Sequence, residues 1–118
     1  MQAPISLFLK IIYTYIMRRA ARTDVNQKDI VNALRIAGFS VYPTHALGAG
    51  FPDIVVGKNG INLLFEIKDG DKPKSAQKLT PDEVIFHRDW RGSVYIVTSP
   101  EHALEMAISL TATSLPVL

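Results

Sequence analysis

Residues Asp53 to Lys68 read Asp-Ile-Val-Val-Gly-Lys-Asn-Gly-Ile-Asn-Leu-Leu-Phe-Glu-Ile-Lys, two apolar runs on either side of Asn59-Gly60. Asn-Gly between alternating strands is a strong local signal for a two-residue type I′ hairpin turn. With those two residues as the loop, Lys58 faces Ile61, Gly57 Asn62, Val56 Leu63, Val55 Leu64, Ile54 Phe65, and Asp53 Glu66. Side chains alternate faces along a strand, and directly opposed residues share a face. The register therefore predicts Asp53 and Glu66 on one face with Cβ atoms roughly 5 Å apart. Lys68, two residues beyond Glu66, joins them. Ile54, Val56, Leu63, Phe65 and Ile67 form the opposite, core face. A four-residue loop keeps this register, whereas a three-residue loop takes Asp53 off the Glu66 face.

Two carboxylates this close repel in apolar surroundings, and one is forced to hold a proton unless a cation lies between them. Mg²⁺ suits such a pair: it typically takes one or two carboxylates, keeps several waters and engages a substrate phosphate. An ammonium beside it orients or deprotonates an attacking water. The set predicts metal-assisted phosphodiester hydrolysis. A Glu-x-Lys tripeptide alone is common and reads as a solvated strand face; the Asp opposite it, following Phe51-Pro52, carries the argument.

Pro52-Asp53 with Glu66-Ile67-Lys68 resembles the PD-(D/E)XK nuclease signature, and the chain is most similar to the VRR-NUC group of small phage-type endonuclease domains. The resemblance covers roughly Arg18 to Leu110, through Gly50-Phe-Pro-Asp53, Glu66-Ile-Lys-Asp-Gly70, Leu79-Thr80-Pro81 and Trp90-Arg-Gly92. It implies a restriction-endonuclease-like fold, a divalent metal (Mg²⁺ or Mn²⁺), a DNA substrate, and the cytoplasm of a bacterial or phage-infected cell. Carried onto this chain, Asp53 and Glu66 hold the metal, the Ile67 carbonyl completes the ligand set, and Lys68 positions water. Two auxiliary positions depart from the family pattern: Glu83 stands where the second helix usually carries Gln, and Gln27 where the first helix often carries an acid. The contrary reading is a non-catalytic DNA-binding or interaction module that keeps the fold.

At 118 residues the chain is one domain, large enough for a single core. With 47% apolar and 20% charged residues it is of ordinary globular composition, which argues against a disordered chain. The absence of cysteine excludes disulfides and thiolate metal sites and is compatible with a cytoplasmic protein. A net charge of +2 permits nucleic-acid binding without arguing for it. The boundaries drawn are an apolar N-terminal extension or helix at 1–17, a nuclease domain at 18–110 and a tail at 111–118. Ile5 to Met17 is too short to span a bilayer comfortably and lacks signal-peptide flanks. It reads as a helix packed on the domain or on a second copy of the chain, as an interfacial anchor, or as an extension upstream of a start at Met17.

The first domain helix is predicted over Val25 to Ala37, with Asp24 or Asn26 as cap, Asn26 and Asp29 as a capping-box-like pair, and Gly38 as its end. A short strand, Phe39 to Tyr42, stops at Pro43. Thr44 to Pro52 is a loop whose glycines let backbone approach substrate; its His45 has no second His at metal-ligand spacing. After the hairpin, Lys72, Lys74 and Lys78 are candidate phosphate contacts, and Gln77 a weaker one. Asp69 falls on the parity opposite to Glu66. Thr80-Pro81-Asp82-Glu83 is a capping box opening a helix to about Trp90 that buries Val84, Phe86 or His87, and Trp90. The box alone accounts for Glu83. Ser93 to Thr98 is a strand parallel to the Glu66 strand, and Ser99-Pro100 opens the last helix. The order is αβββαβ, followed by that helix: a small mixed sheet flanked by helices.

Overall fold

The structure, a computed structural model, describes residues 26–113 together with Lys10. The expectations for the Ile5–Met17 segment, for Asp24 as a cap and for the end of the tail lie outside the described residues. The elements run α1 (Asn26–Ile36), β1 (Ser40–Pro43), β2 (Ile54–Lys58), β3 (Ile61–Ile67), α2 (Pro81–Asp89), β4 (Val94–Val97) and α3 (Pro100–Thr111). Short 3-10 turns at His45–Leu47 and Lys74–Gln77 interrupt the two long connections. The result is a small mixed α/β domain with a four-stranded sheet flanked by helices.

From Ile54 to Phe65 the hairpin has the expected register; the expected Asp53–Glu66 pair lies beyond the ladder, where the Asp53 N–H donates to the Phe65 carbonyl. Ile54 faces Phe65 and Lys58 faces Ile61, leaving Asn59 and Gly60 as the loop. Their φ values of 55° and 78° are the two positive angles a type I′ turn requires. β1 adds antiparallel to β2, with Val41 against Val56. β4 adds parallel to β3, with Phe65 against Tyr95 and Ile67 against Val97, giving the order β1-β2-β3-β4.

One face of this sheet makes the core. Val41, Ile54, Val56, Leu63, Phe65 and Val97 pack against Ile30, Ala33 and Leu34 of α1 and Ala103, Leu104 and Ala107 of α3. The α1 stripe follows the three-and-four spacing of an amphipathic helix. Ser99 caps α3 through its hydroxyl, which accepts from the His102 N–H at 3.0 Å. Asn26 departs from expectation. It lies inside α1, and its amide donates to the carbonyls of Lys68 and Thr98, each at 3.2 Å. The ends of β3 and β4 offer it acceptors there, so it ties the helix to the sheet and is not the outer cap. Thr111 departs too, because α3 continues through it. Thr111 is 2% exposed, its hydroxyl donates to Ala107, and its carbonyl accepts from the Asn59 side chain at 2.8 Å.

The helix α2 buries less than its sequence suggests. Val84 is 50% and Trp90 43% exposed, while Phe86 and His87 are half-buried. It lies over one end of the face opposite the core and contacts the chain through its first turn and a small aromatic cluster. Elsewhere on that face Tyr42 and Ile96 are exposed.

Asp29 sits buried in the first turn of α1, with Oδ1 lacking a hydrogen-bond partner. Burial pushes its carboxyl above the usual range, and Lys28 only partly opposes this. A raised carboxyl pKa means the folded chain holds the proton more tightly than the unfolded chain. The ionised group therefore costs stability as pH rises above its ordinary value of 3.8 and through the raised one. Asp29→Asn is expected to stabilise the fold by about 1 kcal/mol near neutrality. Urea unfolding across pH checks this: the gain should vanish as pH falls toward 3.8.

Candidate active site

Asp53 is held by three hydrogen bonds to neighbouring backbone, one of them to its carboxylate. Its N–H donates to the Phe65 carbonyl at 3.0 Å and its carbonyl accepts from the Thr44 N–H at 2.8 Å. Its Oδ2 accepts from the Ile67 N–H at 2.7 Å, a short charge-assisted bond. The Thr44 hydroxyl donates to the Pro52 carbonyl at 2.8 Å and closes the base of the Thr44–Pro52 loop. Asp53 thus sits at the mouth of the hairpin, one residue beyond its paired register and close enough to Glu66 for the two carboxyls to interact.

Glu66 is 2% exposed although it points away from the core face. Lys68 lies on the same face, its Nζ 3.7 Å from Glu66 Oε2 and 2.8 Å from Glu83 Oε1. Glu83 comes from the first turn of α2. Its Oε1 also accepts from the Thr80 N–H at 2.9 Å, while the Thr80 hydroxyl accepts from the Glu83 N–H. One carboxylate therefore closes the capping box and anchors Lys68. The box was legible in the sequence; the link to Lys68 was not.

The electrostatics follow from this crowding. Burial, then a hydrogen bond with Asp53, then repulsion from Asp53 and Glu83, push the Glu66 carboxyl up to about 9, against the pull of Lys68. With both groups ionised neither can donate, and Glu66 Oε1 is buried without a partner. A proton relieves this, and so does a cation. Burial pulls the Lys68 ammonium down, but the Glu83 hydrogen bond and the surrounding carboxylates outweigh it and hold Lys68 above its usual range. Burial raises Glu83, but its bonds to Lys68 and Thr80 prevail and hold it low.

Comparison with known proteins finds no match: no family model, no curated protein and no solved structure is similar to this chain. The functional reading rests on the residues themselves.

Among the described residues no group of three or more His, Cys, Asp and Glu side chains is gathered as a metal cluster. The donor set at the hairpin mouth is smaller: two carboxylates and the backbone at Ile67. That set suits a hard cation that keeps most of its waters, and the unpartnered Glu66 oxygen is a vacant donor for it. Gln27, in the first turn of α1, turns to His45 of the Thr44–Pro52 loop, with Nε2 3.4 Å from Nδ1. Lys72, Lys74 and Lys78 are exposed on the connection after β3. Gln77 does not reach outward; its amide donates to the Lys72 carbonyl at 2.7 Å and folds that connection on itself. Asp69 accepts from the Asp71 N–H at 2.9 Å as a turn residue.

Two features at the site escaped the sequence. His87, one turn after Glu83, has a buried Nε2 without a partner; burial holds its ring below the usual pKa, with Glu83 opposing and Lys68 assisting. The i, i+4 spacing from Glu83 was the available signal. The second is Gly50. A Cβ there would lie 2.4 Å from the Asp82 carbonyl oxygen. The glycine lets the loop press against the first turn of α2, a protein contact where the sequence suggested approach to substrate.

Proposed function

We propose that this chain is a Mg²⁺-dependent DNA endonuclease of the PD-(D/E)XK type, with Asp53, Glu66 and Lys68 as its reacting set. The observation that supports it is the buried Glu66 carboxyl beside the half-buried Asp53 at the hairpin mouth, with one Glu66 oxygen lacking a partner and Lys68 next to it. The element order and the mixed sheet agree with a restriction-endonuclease-like core.

In this reading Asp53 and Glu66, with the Ile67 carbonyl, would hold the cation. When bound, Mg²⁺ supplies charge stabilisation at the scissile phosphate and makes a water more acidic. The chain's own residues do the rest. Backbone bonds at Phe65, Thr44 and Ile67 fix Asp53. Glu83 keeps Lys68 extended toward the Glu66 side, where its ammonium orients the attacking water by donating to it. Lys72, Lys74 and Lys78 contact phosphates by charge, without reading sequence. The site's self-contained Lys68–Glu83 pairing favours the second reading, a DNA-binding module that keeps the fold without cutting.

Incubation with branched and linear DNA, in Mg²⁺ or EDTA, tests the proposal: Mg²⁺-dependent cleavage is expected, and binding without cleavage would establish the second reading. Calorimetric titration with Mn²⁺ tests the site itself. Because Glu66 keeps its proton to about pH 9 in the free chain, Mn²⁺ binding near neutrality should release about one proton. Affinity should then rise with pH and level off above about 9. Glu66→Gln should weaken binding and abolish that pH dependence. Affinity indifferent to pH and to this substitution would place the metal elsewhere.

A further inference from the structure

The aromatic cluster beside the site is built as an open platform. Trp90 stacks on Phe86, with centroids 4.9 Å apart and planes inclined by 19°. Phe51 meets both edge-on, at 5.1 Å from Phe86 and 6.1 Å from Trp90. Trp90 is positioned from two further directions. Its backbone N–H donates to the Phe86 carbonyl at 2.9 Å, and a Cβ at Gly92 would fall 2.8 Å from the indole Nε1. Held this way, the indole is still 43% exposed. Burial of such a ring in a core would have served stability better; here a fixed aromatic surface is left in contact with solvent.

Its place relative to the site follows from helix geometry. Glu83 and Phe86 lie three apart on one face of α2, and Trp90, the residue that ends the helix, stacks on Phe86 at the far end of that face. Glu83 meets Lys68 at the start of that face. Seven residues at 1.5 Å each place Trp90 about 10 Å further along. At about 3.4 Å of axis per nucleotide, this is two or three nucleotides from a phosphate held at Asp53 and Glu66. Phe51, two residues before Asp53, joins the two ends. Lys78, Arg88 and Arg91 are exposed at either end of the helix, and Arg88 is paired with Asp89. Arg91, next to the indole, places positive charge where a strand's phosphates would run.

Resting on the nuclease reading, we propose that Trp90 stacks on an unpaired nucleobase, and that the site takes DNA with a single-stranded arm or splayed end in preference to continuous duplex. An aromatic face engages a base only when the base is out of its helix, because a paired base has both faces covered. Stacking of this kind tolerates any sequence.

Trp90 is the chain's single tryptophan, so its emission reports on this contact alone. The test titrates wild type, Trp90→Ala and Trp90→Phe, in Ca²⁺, with a short oligothymidylate and with a blunt duplex of equal length. Emission and anisotropy are both read. The single strand should quench the wild-type emission. Trp90→Ala should weaken single-strand binding by about 5- to 100-fold, change duplex binding less than about twofold, and Trp90→Phe should recover most of the loss. Retained duplex binding also shows that the alanine variant is folded; if it is not, the wild-type quenching and the phenylalanine variant decide. Unchanged emission on single-strand binding, or equal loss on both DNAs, would overturn the stacking site and leave the nuclease reading standing. Failure of wild type to bind either DNA would overturn both.

Discussion

Lys68→Ala is expected to lower cleavage by on the order of 10²- to 10⁴-fold while Mn²⁺ still binds. Both carboxylates proposed to hold the metal survive the change. Affinity should hold or rise, because a competing cation 3.7 Å from Glu66 is gone. DNA binding in Ca²⁺ should also survive, since the exposed lysines after β3 act by charge. The metal-free fold should suffer, because Lys68 neutralises a partly buried Glu83 at 2.8 Å, and its removal leaves carboxylates facing one another. A loss of about 1–3 kcal/mol, recovered on adding Mn²⁺, is the expected magnitude. Glu83→Gln separates the two duties of that carboxylate. Glutamine still closes the capping box, so stability should change little, while Lys68 loses its charged anchor. Cleavage should fall, but by less than in Lys68→Ala. Single-turnover cleavage beside calorimetry decides: a Lys68→Ala chain that cuts at the wild-type rate makes Lys68 a surface charge and ends the mechanism.

Gly50→Ala should be the most damaging single methyl in the molecule. The added Cβ would meet three backbone atoms of α2, at 2.4, 2.5 and 2.9 Å, and backbone cannot swing aside as a side chain can. The residue also has φ of +79°, where a Cβ is strained whatever the space. A cost of about 3 kcal/mol is expected, roughly a 10–20 °C fall in Tm for a domain of this size. Gly60→Ala is the matched control. Its φ is +78° and nothing lies within 4 Å, so only the backbone strain remains, about 1 kcal/mol. The excess at Gly50 measures the seating of α2 on the loop. Cleavage should fall with it, because displacing that first turn carries Glu83 away from Lys68. Equal melting temperatures for the two variants would mean that the contact is not made in solution.

What the sequence determined by itself was set by local chemistry. Asn59-Gly60 fixes the turn, because both positions need positive φ, and with it the register from Lys58 opposite Ile61 to Ile54 opposite Phe65, just short of Asp53. The starts of α2 and α3 were equally readable, since a cap satisfies N–H groups only two or three residues away. Ile30, Ala33, Leu34 and Ala37 recur at three and four along α1 to just past its end, and that spacing alone marks its core face. Only the tertiary structure decided what lies against the face bearing the carboxylates. Glu83 reads as a complete capping box, and its second bond, to Lys68 fifteen residues back, exists because α2 is folded over the hairpin. Asn26 looked like a cap until the ends of β3 and β4 presented their carbonyls to it. Thr111 looked like tail until the hairpin turn reached its carbonyl. Val84 and Trp90 sit at apolar positions of a helix that covers only one end of the sheet, so hydrophobicity pointed inward where packing left them out. Periodicity states which residues share a face; whether that face is covered, and by what, depends on contacts between segments far apart in the chain.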